Sequence, residues 1–258
     1  MQSTISFFKR FPFAVLLCVQ LLSVLSYGFM TDSKTSHLIF NSLGLIVPIL
    51  AVWTVYRSPA TNWIGFALVA ASISTSLLAI FGGQAQLLVW SHAFESLLYF
   101  YAATSLVMYM FSDDIVTLDE LYAAAATFTL LVWGFALAYS VCQQLYPQSI
   151  IGSSTLNAIR SWPELLFLSF SIQSGTGLSD ILPVGLQARA IASIQMFSGA
   201  MYITIIVSHL VGLAASKKTQ YSVILVARKP APRRLVYNQK LNYRHWPPQR
   251  IARRLWCR

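Results

Sequence analysis

The chain has 258 residues, of which 56% are hydrophobic and 10% are charged. This composition excludes an ordinary soluble domain, in which about a quarter of the residues are charged. The net charge is +10, but residues 217–258 hold twelve Lys and Arg and no Asp or Glu. The rest of the chain, with six basic and eight acidic residues, therefore sums to −2. We expect an integral membrane protein with a basic tail.

Six apolar segments are long enough to cross a bilayer, which takes about 20 residues per helix. They lie at residues 11–30, 37–56, 62–82, 86–111, 120–142 and 187–214. The first follows Lys9 and Arg10, but it is longer than the roughly 7 to 15 apolar residues of a signal peptide. We therefore expect it to be retained. Because basic residues mark cytoplasmic flanks, both termini are predicted to be cytoplasmic.

Polar residues within these segments are few. A voltage sensor needs repeated basic residues in one span, yet no Lys or Arg lies between Arg57 and Arg160. His92 and Glu95 share a helix face, and we interpret them as a structural pair. Three cysteines and four histidines are too scattered to predict a disulfide framework, a metal site or a catalytic site.

The segment between the fifth and sixth spans carries a helix too short to cross. Ser161 suits an N-cap, Pro163 the first turn and Glu164 the N3 position of a helix. A glycine-bearing stretch follows. Since lipid cannot satisfy exposed backbone groups, such a stretch at membrane depth must be buried in protein or line a water-filled path. The pattern predicts a re-entrant loop.

This order of elements resembles the pore loop of the potassium-channel superfamily, in which a pore helix leads into a filter of the type TVGYGD. Trp162 to Gln173 matches the pore helix. The residues that match the filter are Gly175, Thr176, Gly177, Leu178, Ser179 and Asp180. Gly199 stands where the family commonly has a gating-hinge glycine. The stretch from Val116 to Leu213 looks like bacterial six-helix pore-loop proteins that have no voltage sensor.

The resemblance implies an all-α polytopic fold with six transmembrane helices and a pore loop between the last two. Its parts would be a four-helix region at 1–111, a pore domain at 112–215 and a cytoplasmic tail at 216–258. A homotetramer would conduct potassium or another monovalent cation passively through rings of carbonyl oxygens. The implied location is a bacterial inner membrane. We expect no catalytic residues, resident cofactor or bound metal.

Three departures from the family bear on the shape and selectivity of the filter. Gly175 replaces a threonine, Leu178 a tyrosine and Ser179 the second glycine. A serine with positive φ costs about 1–3 kcal/mol, so either its surroundings hold it there or the filter has another shape. The alternative hypothesis is a non-conducting pore-loop protein that acts as a regulatory subunit or a tail-tethered interaction protein.

The basic tail lies just after the last span. Each Lys or Arg near a membrane surface contributes about 1 kcal/mol of attraction to anionic lipid headgroups. We therefore predict that the tail contacts such lipids. It carries no specific nucleic-acid motif.

Overall fold

The computed structural model describes residues 12–27, 48, 50, 62–82, 85–112, 118–152 and 159–228. This part of the chain is mostly helical. Its elements are α1 (Pro12–Ser26), α2 (Asn62–Gly82), α3 (Ala85–Met110), α4 (Leu118–Leu145), β1 (Ile150–Gly152), α5 (Trp162–Gln173), β2 (Ile181–Pro183) and α6 (Leu186–Arg228).

The helices coincide with the apolar segments of the sequence. α2, α3 and α4 follow the predicted segments at 62–82, 86–111 and 120–142 to within three residues at either end. α1 covers most of the first segment, from its second residue onward, and α6 continues beyond the last. The second predicted segment, 37–56, lies outside the described residues apart from 48 and 50. The predicted domain boundaries remain predictions.

α4 is the central helix, since α1, α3 and α5 all pack against it, while α2 packs against α3. The α3–α4 contact is close at Gly134, where an added Cβ would lie 3.2 Å from the ring of Phe100. The hydroxyl of Ser96 donates to the Gly134 carbonyl at 2.8 Å. Small residues and hydroxyls of this kind let helices approach closely.

Two of the described helices are long and apolar enough to span a membrane: α4 and the Leu186–His209 part of α6. α4 is mostly enclosed by its neighbours, but only 22% of the apolar window of α6 is buried. The apolar side chains that α6 exposes are Leu186, Ile194, Met196, Phe197, Met201, Ile203, Ile205, Val207 and Val211. The apolar parts of α1 and α2 are shorter.

The predicted pairing of His92 with Glu95 is not formed, because no hydrogen bond joins these two residues of α3. Instead the Nδ1 atom of His92 lies 3.2 Å from the Ser140 hydroxyl and 3.4 Å from the amide nitrogen of Gln144. Both partners belong to α4. The histidine thus connects α3 to α4 rather than to its own helix.

The chain divides into two units, residues 1–218 and residues 219–258. The first holds all elements up to the middle of α6. In the second the structure describes only the end of α6, at Arg228. The rest of the basic tail, with its predicted contact to anionic lipid, lies outside the described residues.

Candidate functional site

The start of α5 is capped as the sequence predicts. Ser161 takes the N-cap position in an extended conformation, with Pro163 in the first turn. The backbone N–H and the hydroxyl of Ser161 both donate to the carboxylate of Glu164, at 2.6 and 2.7 Å. Arg160 lies 3.7 Å from the same carboxylate. The helix begins at Trp162 and ends at Gln173, which confirms the predicted bounds.

A glutamine of α4 holds this helix start in place. The side-chain nitrogen of Gln143 donates to the Arg160 carbonyl at 3.0 Å, and its oxygen accepts the Arg160 N–H at 2.9 Å. Both residues are buried. The pair of bonds imitates a strand pairing and fixes the chain direction at the entry to α5. The sequence alone does not predict this contact, whose one signal is a glutamine near the end of an apolar segment.

The end of α5 is a Schellman motif, in which a left-handed residue closes the helix. Gly175 has φ +72° and donates its N–H to the Ile172 carbonyl at 3.1 Å. The N–H of Thr176 reaches the Ser171 carbonyl at 3.1 Å. Gly175 therefore ends the helix. Its predicted role as an ion ligand remains a prediction.

Ser171, in the last turn of α5, holds three backbone N–H groups of the loop. Its carbonyl accepts from Thr176 at 3.1 Å and from Gly177 at 3.3 Å. Its hydroxyl accepts from Ser179 at 3.1 Å. The serine is buried, whereas the three residues that donate to it are exposed or half-buried. One residue thus anchors both halves of the predicted filter.

These bonds determine where the loop carbonyls point. In a planar trans peptide, the C=O of one residue points opposite to the N–H of the next. Because the N–H groups of Thr176, Gly177 and Ser179 turn back to α5, the preceding carbonyls point away from it. Those carbonyls belong to Gly175, Thr176 and Leu178. Three carbonyl oxygens are therefore presented on the side of the loop opposite to α5.

The loop surface opposite α5 is open. Gly177 has φ +65°, and an added Cβ would meet no atom within 4 Å there or at Gly175. Leu178 is 74% exposed. Ser179 does not adopt positive φ, since Gln148 is the one non-glycine residue that does so in the described part of the chain. Ser179 is therefore not held in a strained conformation by its surroundings. Instead, the loop differs in shape from a TVGYGD filter.

The far end of the loop is tied to the segment that follows α4. Strand β2 pairs antiparallel with β1, with Leu182 opposite Ile151. The carbonyl of Ser149 accepts the N–H groups of Val184 and Gly185 at 2.9 and 3.0 Å. Asp180 lies exposed just before β2. The loop is thus anchored in its own chain at both ends.

α6 meets the back of α5 through a buried polar cluster. The amide nitrogen of Gln195 donates to the hydroxyl and the carbonyl of Ser169, at 2.7 and 3.0 Å. The amide oxygen accepts the Tyr139 hydroxyl at 2.9 Å. Ser169 in turn donates to the Val132 carbonyl at 2.7 Å. The cluster connects α4, α5 and α6, and none of its side chains was singled out from the sequence.

Gly199 lies inside α6 and touches the backbone of α5. A Cβ at this position would overlap the Gln173 carbonyl oxygen and lie 3.2 Å from the carbonyl carbon. A backbone atom in a helix cannot move aside cheaply. The glycine is therefore required for close packing, whereas its predicted role as a gating hinge remains a prediction.

We expect Ser171→Ala to release the second half of the loop. The substitution removes the acceptor for the Ser179 N–H, a loss of about 1 kcal/mol, and leaves the Ser171 carbonyl in place. Hydrogen exchange of the 177–180 backbone should then be about fivefold faster. Ser193→Ala is the control, because that hydroxyl donates to the Arg189 carbonyl of its own helix. Unchanged exchange in Ser171→Ala would contradict the anchoring role.

Neither a cluster of metal-ligating side chains nor similarity to known proteins indicates the function of this site. Among the described residues, no group of three or more His, Cys, Asp or Glu could hold a metal ion. Comparisons with protein-family models, with curated proteins and with solved structures found no match to this chain. The loop geometry is therefore the main guide to function.

Proposed function

We propose that the protein is a passive channel for monovalent cations, with potassium the expected ion. The observation that carries this proposal is the outward direction of the Gly175, Thr176 and Leu178 carbonyls. A cation that leaves water needs oxygen atoms in place of its hydration shell, and rings of backbone carbonyls supply them. The resemblance implies the carbonyls of Thr176, Gly177 and Leu178 as ligands, with Ser179 and Asp180 at the outer mouth. The proposed set has Gly175 in place of Gly177, because no hydrogen bond defines the direction of the Gly177 carbonyl.

The proposed channel is a homotetramer. One loop presents its carbonyls on one side only, so it cannot surround an ion. Four copies around an axis would form complete rings and would also cover the exposed backbone of residues 174–178. Four exposed Asp180 carboxylates would then attract cations to the outer mouth.

The proposed setting is a membrane crossed by six helices, with both termini in the cytoplasm. The exposed apolar side chains of α6 support it, because a water-soluble chain rarely exposes so large an apolar surface. In the assembly this surface would face lipid and neighbouring subunits. Bending at Gly199 would open the pore, and the basic tail would contact anionic lipid on the cytoplasmic side.

Ion flux through the purified protein in liposomes tests the proposal, with K⁺ and Na⁺ measured separately. We expect flux that Gly177→Ala reduces strongly, since an L-residue with positive φ is strained by about 1–2 kcal/mol. Gly212→Ala is the matched control. Both glycines have open space for a Cβ, but only Gly177 has positive φ, so the control should conduct normally.

The second candidate is the non-conducting pore-loop protein. It is favoured by Gly175, which closes a helix, and by the loop shape at Ser179. A folded oligomer that passes neither ion under any gradient would establish it over the channel. Normal flux in both Ala variants would place the conduction path outside the loop.

A further inference from the structure

Four aromatic side chains form a junction between α1 and the start of α5. The indole N–H of Trp162 donates to the Tyr27 hydroxyl at 2.5 Å. Trp162 meets Trp133 of α4 edge-on, with ring centroids 5.7 Å apart. Trp133 meets Tyr99 of α3 at 6.1 Å. We call Tyr27, Tyr99, Trp133 and Trp162 the aromatic junction.

α1 is fixed along its whole length, so the junction does not rest on a loose end. Near its start, the Phe13 ring packs 5.0 Å from that of Tyr109. In its middle, the buried Gln20 side chain accepts the Thr129 hydroxyl at 2.5 Å. Tyr27 directly follows the helix. The position of α1 therefore defines the position of the Tyr27 hydroxyl.

α5 connects the Tyr27 contact at its first residue to the loop at its last turn. Trp162 is its first residue, and Ser171 follows nine residues later, about 14 Å along the helix axis. A helix this short moves as a rigid rod. Any tilt or rotation at Trp162 therefore displaces the Ser171 groups that hold the loop N–H groups. The direction of the loop carbonyls would change with them.

We propose that Tyr27 and Trp162 are positioning residues through which the first helix sets the geometry of the predicted filter. The evidence for coupling between α1 and the loop is this set of contacts. The effect of the coupling on ion selectivity rests on the proposed function. The physical reason is that the indole N–H of the partly buried Trp162 is stabilised by an acceptor in these apolar surroundings. In the described structure Tyr27 provides that acceptor, and α5 is oriented to reach it.

Hydrogen exchange in the purified full chain tests the coupling without any need for conduction. In Tyr27→Phe, which keeps the ring and removes the acceptor, we expect the 174–180 backbone to exchange about fivefold faster. Trp162→Phe should have a similar effect, and the double variant should add little to either. Exchange in α2, remote from the junction, should not change. Tyr146→Phe is the control, because that tyrosine is exposed beyond the end of α4.

Flux gives the second readout. If the channel conducts, Tyr27→Phe should alter the ratio of K⁺ to Na⁺ flux while the unfolding temperature stays within the range of Tyr146→Phe. Unchanged loop exchange in Tyr27→Phe overturns the coupling, as does faster exchange spread over α2 as well. Absence of flux in every protein, including the unsubstituted chain, would contradict the proposed function but not the coupling between α1 and the loop. If Trp162→Phe does not fold, Tyr27→Phe decides.

Discussion

Replacing Gly199 with alanine should separate α6 from α5 and destabilise the folded protein by about 3 kcal/mol. The added methyl group would overlap the carbonyl oxygen of Gln173. This oxygen belongs to the last residue of α5, which the Schellman motif and Ser171 hold in place. Because the obstacle is backbone, the strain must be relieved by moving a whole helix.

Thermal unfolding in detergent measures this effect, with Gly212→Ala as the matched control. Gly212 lies in the same helix, and a Cβ there meets no atom within 4 Å. Since alanine favours helix over glycine by about 1 kcal/mol, the control should be neutral or slightly stabilising. Full stability of Gly199→Ala would contradict the packing role, and a loss of flux alone would leave the glycine with the proposed hinge role only.

The helices of this fold are well predicted from the sequence, because their signals are local. Apolar segments of spanning length show where α2, α3 and α4 lie. The cap at Ser161 and Glu164 gives the start of α5. These signals depend on neighbours within one or two helical turns, which the sequence lists directly.

The parts of the site that depend on distant partners could not be predicted. Ser171 resembles any other serine of an apolar helix until the loop folds back on it. Tyr27 and Trp162 lie 135 residues apart. Their contact requires the packing of α1 and α5 on the same central helix. Such pairings follow from tertiary structure, which periodicity does not contain.

Gly175 shows how one residue can carry two competing signals. Its place before Thr176 and Gly177 made it a filter position by resemblance. Its position after a twelve-residue helix also made it a helix terminator, and the hydrogen bonds follow the second signal. Similarly, the substituted Ser179 suggested strain, but the loop avoids positive φ at that residue. The backbone of the loop adopts a shape in which Ser179 does not need positive φ.

Replacing Gln195 with leucine should destabilise the fold by about 2–4 kcal/mol, because buried hydrogen bonds are lost. The Tyr139 hydroxyl would lose its acceptor, and Ser169 would lose the donor to its hydroxyl and carbonyl but keep its bond to Val132. An unsatisfied buried polar group costs about 1–3 kcal/mol. Lipid offers no replacement, because its hydrocarbon neither donates nor accepts hydrogen bonds. The loop should become less ordered as well, since α5 would lose its hydrogen bonds to Gln195 of α6.

The same cluster allows a rescue that separates polar satisfaction from packing. Adding Tyr139→Phe to Gln195→Leu removes the stranded hydroxyl, so the double variant should regain part of the lost stability. Gln187→Leu is the control, because that glutamine is exposed on the same helix. The measurement is the unfolding temperature of the unsubstituted protein, Gln195→Leu, the double variant and Gln187→Leu. A double variant less stable than Gln195→Leu alone would show that Tyr139 stabilises the three helices through its hydroxyl independently of Gln195.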